Sequence, residues 1–324
     1  MRARWITGVL AAALFVAGAG RATAQDEPAL EEAAAYGAWY QANEAKDVAK
    51  AYELAREYVQ KFPKGQYAEF LTKWVAGARG ALFNQALQKK DMAAMLKLGQ
   101  ERLAEDPDDL AYLVSLALNL RRYELFASPA NFTHAAEAAD FSKRAIALIE
   151  AGKVPGGADP AKWNKNDALG WLHQNLAAIA YKDEKKDDAL AAFQKSTEAD
   201  KDNAGLVAYN LLYAGFIHKD RYDAAVKQYQ ELPEADRQAA EPTEAAKAAV
   251  EEANRHADAA IESWARFAGL AEAQGTYGET RERIARALAG LWAYRNPEDP
   301  EGYLKLIEQH KAGATAGAAP GAAP

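Results

Sequence analysis

Five histidines could do chemistry in this chain: His134, His173, His218, His256 and His310. No two of them form an HExxH pair, the spacing that sets two imidazoles around zinc on one helix face. His134 and Glu137 lie three apart and share a face if the segment is helical, but without a third ligand they read as a surface pair. His173 falls among apolar residues at helical spacing and reads as a packing residue. Asp200-Lys201-Asp202-Asn203-Ala204-Gly205 opens like a calcium loop. It fails at its fifth position, Ala204, and at its twelfth, Leu211, where a bidentate glutamate is needed. A turn in which Asp202 or Asn203 caps the next helix fits better.

Nucleophiles are equally sparse. The chain has no cysteine, which removes thiolate catalysis, disulfides and thiolate metal sites together. Ser128, Ser142, Ser196 and Ser263 have no histidine and acid at a recognisable spacing. No GxSxG elbow, P-loop or GxGxxG occurs. Asn131-Phe132-Thr133 matches a glycosylation triplet. Carboxylates are plentiful, but on amphipathic helices they form the solvated face. The expectation is a protein with no catalytic residue, no metal and no cofactor, hence not an enzyme.

The elements that would position a site begin after an address. Residues 1–24 combine Arg2 and Arg4, an uncharged run from Trp5 to Gly20, and Ala22-Thr23-Ala24. This is the layout of a secretory signal peptide cleaved after Ala24. The run is shorter than the ~20 residues a spanning helix needs. Cleavage predicts a periplasmic or secreted protein with no stable membrane insertion. Losing Arg2, Arg4 and Arg21 takes the formal net charge from −7 to −10. Dispersed basic residues on so acidic a chain argue against nucleic acid, whose phosphates need clustered lysine and arginine.

From Glu27 to Lys311 the apolar residues recur at three and four spacing, as in Leu113, Leu116 and Leu120 or Leu172, Leu176 and Ile179. Short polar turns punctuate them, among them Phe62-Pro63-Lys64-Gly65 and Glu105-Asp106-Pro107-Asp108-Asp109. The predicted class is all-α, built from antiparallel helix pairs. Two stretches look alike. One runs from Gly170 to Tyr181 and then Asp188 to Ser196. The other runs from Val207 to Phe216 and then Tyr222 to Tyr229. Asn175 pairs with Asn210 between them, and Phe193 with Tyr229.

Residues 170–201 resemble a tetratricopeptide repeat (TPR). Ala189, Phe193 and Ser196 match the small–aromatic–small pattern of its second helix, although Lys201 stands where proline is usual. In the next stretch Ala225 and Tyr229 match, Leu232 replaces the small residue, and Pro233 follows early. Tyr52 to Ala68 looks like the repeat junction of periplasmic members of the family. The resemblance implies a right-handed solenoid of antiparallel helix pairs over 25–241, with an insert near 151–167. Residues 242–311 would form a C-terminal helical cap, with a Thr276–Glu279 capping box inside it. Residues 312–324, rich in Ala, Gly and Pro, would be a disordered tail.

The resemblance also implies a concave groove lined by first helices. By repeat register, Trp171, Gln174, Asn175 and Tyr181 would approach it, joined by Tyr209, Asn210 and Tyr213. The basic residues of a peptide-carboxylate clamp are not identifiable at set positions. The expected function is a non-catalytic exported scaffold that binds a protein or peptide segment in this groove. The alternative is an envelope protein binding a small ligand or glycan with its aromatic side chains.

Overall fold

A computed structural model describes residues 27–238 and 240–317. Every regular element among them is helical. The leader 1–24 and residues 318–324 lie outside the described residues. The chain forms two compact units, one ending at Leu98 and one starting at Gly99.

The first unit contains α1 (Glu27–Glu44), α2 (Val48–Lys61) and α3 (Ala68–Lys89); α4 (Met92–Glu105) begins in it and runs past Leu98. α2 packs on both α1 and α3. Its core holds Trp39, Tyr52, Tyr58, Leu71 and Phe83. The Tyr58 hydroxyl donates to the Glu32 carboxylate, which also accepts the Gln66 N–H at 2.6 Å. That shared acceptor fixes the α2–α3 turn against α1.

The second unit contains α5 (Leu110–Leu120), a single π-helical turn (Arg121–Leu125), α6 (Ala135–Glu150), α7 (Lys165–Lys182) and α8 (Lys186–Ala199). It continues with α9 (Ala204–Glu231), α10 (Glu234–Arg237), α11 (Glu244–Ala273), α12 (Gly278–Arg295) and α13 (Gly302–Gly317). From α5 to α9 each helix packs on the next. Beyond that, α9 lies along α11, and α12 and α13 both pack on α11.

One turn recurs. Lys46, Lys90 and Glu184 all have left-handed backbone. After them Asp47, Asp91 and Lys185 donate their N–H to Ala42, Ala86 and Ala180. These are Schellman closures, which satisfy carbonyls left open at a helix end. Asp47 and Asp91 then cap the next helix through the N–H groups of Lys50 and Ala94, at 3.1 and 3.0 Å. Pro63, Pro107 and Lys201 stand at the same distance beyond these three turns. The helix-pair unit is therefore written into backbone geometry as well as side-chain pattern.

Three sequence expectations change. The second helix pair, Val207–Phe216 and Tyr222–Tyr229, is one continuous helix of 28 residues, α9. Ile217-His218-Lys219-Asp220-Arg221 offers no glycine or proline and no left-handed residue to turn on. Instead Ile217 is fully buried, and Asp220 and Arg221 pair with Lys186 and Asp187 of α8 at 2.9 and 2.6 Å.

Ala208 and Leu212 of α9 share a core with Ile261, Trp264, Phe267, Ile284 and Ile307 from the segment expected to cap the chain. The Thr276 capping box does not form. Tyr277 in left-handed conformation precedes α12, and no side chain caps it. Finally, α13 continues to Gly317, into the segment expected to be a disordered tail. Alanine, the strongest helix former, favours that extension.

Residues 126–134 are non-helical, and the insert expected near 151–167 is non-helical to Asn164, with α7 starting at Lys165; the two stretches bracket α6. Asn203 caps α9 through the Leu206 N–H at 3.1 Å.

Candidate functional site

The seven groove residues split into two groups. Gln174, Asn175 and Asn210 are interior, with 0, 0 and 2% of their surfaces exposed. The Asn175 amide donates to Ala117 O of α5 at 3.1 Å and Ser142 Oγ of α6 at 3.3 Å. The Asn210 amide donates to Ser196 Oγ and Thr197 Oγ1 of α8 at 2.9 and 3.0 Å, while its oxygen accepts from Gln174 at 2.8 Å. Ser196 in turn donates to Gly170 O at 2.8 Å. Each asparagine thus ties a helix to a serine on the helix pair before it. The match between Asn175 and Asn210 reflects stacking, because each buried amide N–H finds its acceptors on the neighbouring helices. This corrects the expectation that the three face a ligand.

Trp171, Tyr181, Tyr209 and Tyr213 are only partly buried and come together. Tyr181 meets Tyr213 edge-on at 5.0 Å, Tyr213 lies 4.5 Å from Tyr209, and Tyr209 lies 4.9 Å from Phe126. Burial pushes the Tyr209 hydroxyl pKa up, with the neighbouring Tyr213 adding to it. This stripe runs over α7 and α9 and ends at a residue the sequence pattern did not single out.

That residue is Arg121, at the start of the π-helical turn. Its guanidinium carbon sits 3.9 Å from the Trp171 ring centre and 4.2 Å from that of Phe126. Nη2 donates to Gln174 Oε1 at 2.5 Å, which joins the aromatic stripe to the buried amide ladder. Nε is buried and has no partner. Burial lowers the arginine pKa to about 10, opposed by the fields of Tyr209, Asp167 and Tyr277. No carboxylate among the described residues pairs with it.

Local structure explains the placement. The Phe126 N–H bonds Arg121 O at 2.9 Å, an i to i+5 closure that widens the helix by one residue. Glu124, buried in the same turn, then anchors the following loop. His134 Nδ1 lies 2.7 Å from its Oε1, the His134 N–H donates to Oε2 at 3.2 Å, and Asn131 N–H donates to its backbone oxygen at 2.9 Å. The acidic neighbour of His134 is therefore Glu124 and not Glu137. With the loop held there, Phe126 turns back over Arg121.

Asp167 belongs to the same neighbourhood. Burial and the nearby Asp200 raise its carboxyl pKa, against hydrogen bonds from Trp171 and Asn203. A separate groove of about 870 Å³ runs between α6, α7 and α8, lined by Ala135, Ala139, Ile146, His173, Leu176 and Ala192. His173 thus borders a groove, where burial lowers its pKa. Among the described residues no three histidine or acidic side chains converge as a metal site, and no helix is long and apolar enough to cross a membrane. No family model matches this chain, and no curated protein matches it.

Proposed function

We propose that this chain is a non-catalytic, exported, TPR-like scaffold that binds a protein or peptide segment on the face formed by α5, α7 and α9. The observation that carries this reading is the partly open aromatic stripe ending at Arg121. Tyrosine and tryptophan give broad contact at low entropic cost, and a fixed guanidinium adds direction to it. Small residues support the solenoid. Ala189 and Ser196 are fully buried and Phe193 nearly so, where α7 and α8 meet their neighbours. The recurring Schellman turn supports it as well. In this reading α5 to α8 are stacked pairs, and α9 with α11 to α13 closes the end of the stack. Export to the periplasm or medium rests on the leader sequence.

A specific observation favours a second reading, the binding of a small ligand or glycan. In the first unit Tyr40 and Phe70, 47 and 51% exposed, stand edge-on to Trp39. Such rings can stack on a sugar.

Selection of a displayed random peptide library on residues 25–324 tests the first reading. Peptides that bind the wild type and fail to bind a folded Trp171→Ala/Tyr209→Ala variant are expected. Peptides that bind both alike, or no selection at all, would overturn it. A glycan panel read against Phe70→Ala tests the second.

A further inference from the structure

We infer that Arg121 is the seat for a single carboxylate carried by the ligand. This rests on the α5–α7–α9 face being the binding face. Arg102, Arg144, Arg221, Arg255 and Arg295 each lie within 3.2 Å of a carboxylate oxygen. Arg121 sits against two aromatic rings and has no such carboxylate among the described residues. A desolvated cation without a counter-charge is costly, and an anion supplied from outside relieves that cost. Its Nε–H lacks any acceptor.

The guanidinium is also held in place before any ligand arrives. The Trp171 and Phe126 rings both lie against it, and Gln174 fixes one end through Nη2. Only the edge is left for a partner, and a planar fork meeting edge-on matches a planar carboxylate. The seat has one positive charge, and Asp167 acts on it electrostatically. A monoanion neutralises that charge, whereas doubly charged phosphate would leave a net negative charge facing Asp167. The tyrosines beside it favour an acid attached to an apolar or aromatic body.

Benzoate is the probe, with benzamide as its neutral isostere and inorganic phosphate as the competing anion. Titration of residues 25–324 is followed by tryptophan fluorescence and by thermal melting. Saturable benzoate binding is expected, at least tenfold tighter than benzamide or phosphate. Arg121→Gln and Arg121→Lys should each weaken it at least tenfold, because lysine keeps the charge but loses the fork and the ring stacking. Benzamide equal to benzoate, phosphate tighter than benzoate, or no saturation by 50 mM benzoate would each overturn the proposal without any variant.

The source of the carboxylate is read with the displayed peptides. Loss of binding on C-terminal amidation assigns a chain end. Loss on Glu→Gln or Asp→Asn in the peptide assigns a side chain. Benzoate binding with peptides indifferent to both assigns a free small acid. Peptides that need Trp171 and Tyr209 while benzoate fails would sink the seat and leave the scaffold standing. Benzoate bound through Arg121 with no peptide selected would do the reverse.

Discussion

Asn210 joins Gln174 of α7 to Ser196 and Thr197 of α8 from a position almost closed to water. Truncating it strands donors and acceptors in a place where none can be hydrated, at ~1–3 kcal/mol for such a group. Asn210→Ala should therefore lower unfolding stability by about 2–3 kcal/mol in urea titrations, and a loss under 0.5 kcal/mol would contradict the ladder. His218 sets a different response. Its Nδ1 lies 3.2 Å from His256 Nδ1, between α9 and α11, with Arg221 and Arg255 near. His256 is held in turn by Glu252, at 2.9 Å from Nε2. Burial first, then His256 and the two arginines, lower the His218 pKa to about 4.

Above the unfolded value of ~6.5 both states are neutral, and stability is full. As pH falls toward 4 the unfolded chain takes the proton first, so stability is lost across that window and no further below it. Urea midpoints at pH 7, 5.5 and 4.5 should fall, and His218→Gln should flatten the fall. An unchanged slope in the variant would place the acid sensitivity elsewhere.

At the level of elements, α9 is where pattern and structure part. Asp220→Pro distinguishes the two descriptions. In a hairpin turn proline is tolerated, but inside a continuous helix it costs ~3 kcal/mol or more. A melting temperature within a degree or two of the wild type would restore the hairpin. The α9–α11 seam gives a second test. A Cβ on Gly215 would stand 2.2 Å from the Trp264 indole, whose N–H donates to Leu212 O at 3.3 Å. Gly215→Ala should destabilise by about 1–3 kcal/mol, by overpacking, in the same urea assay.

The helical class, the α7–α8 pair, α6 with its flanking loops and the Asn203 cap were all legible, because periodicity and capping chemistry are local. Trp171, Tyr181, Tyr209 and Tyr213 were singled out by repeat register, and they stand partly exposed. Arg121 and Phe126 were not, since their meeting depends on a π-helical closure and a loop pinned by Glu124. Gln174, Asn175 and Asn210 misled because a polar residue on a packed face looks like a polar residue on an open one until its neighbours are known.

Seen whole, the chain puts its longest irregular stretch of described backbone between α6 and α7. Lys162 there carries 86% of its side-chain surface in water. Limited trypsin digestion should cut first at Lys153, Lys162 or Lys165, and mass spectrometry of the earliest fragments checks it. First cuts inside α9 would contradict its continuity.

α9 is also gauged at three places along its length: Asn210 against α8, Gly215 against Trp264, and Asp220 with Arg221 against the start of α8. A residue gained or lost between these marks rotates everything beyond it by about 100° and moves it by about 1.5 Å, so all later marks miss at once. Descendants of this gene can thus change length in the stretch 151–164, where nothing has to keep count, and α9 should persist as a fixed ruler among relatives whose loops differ.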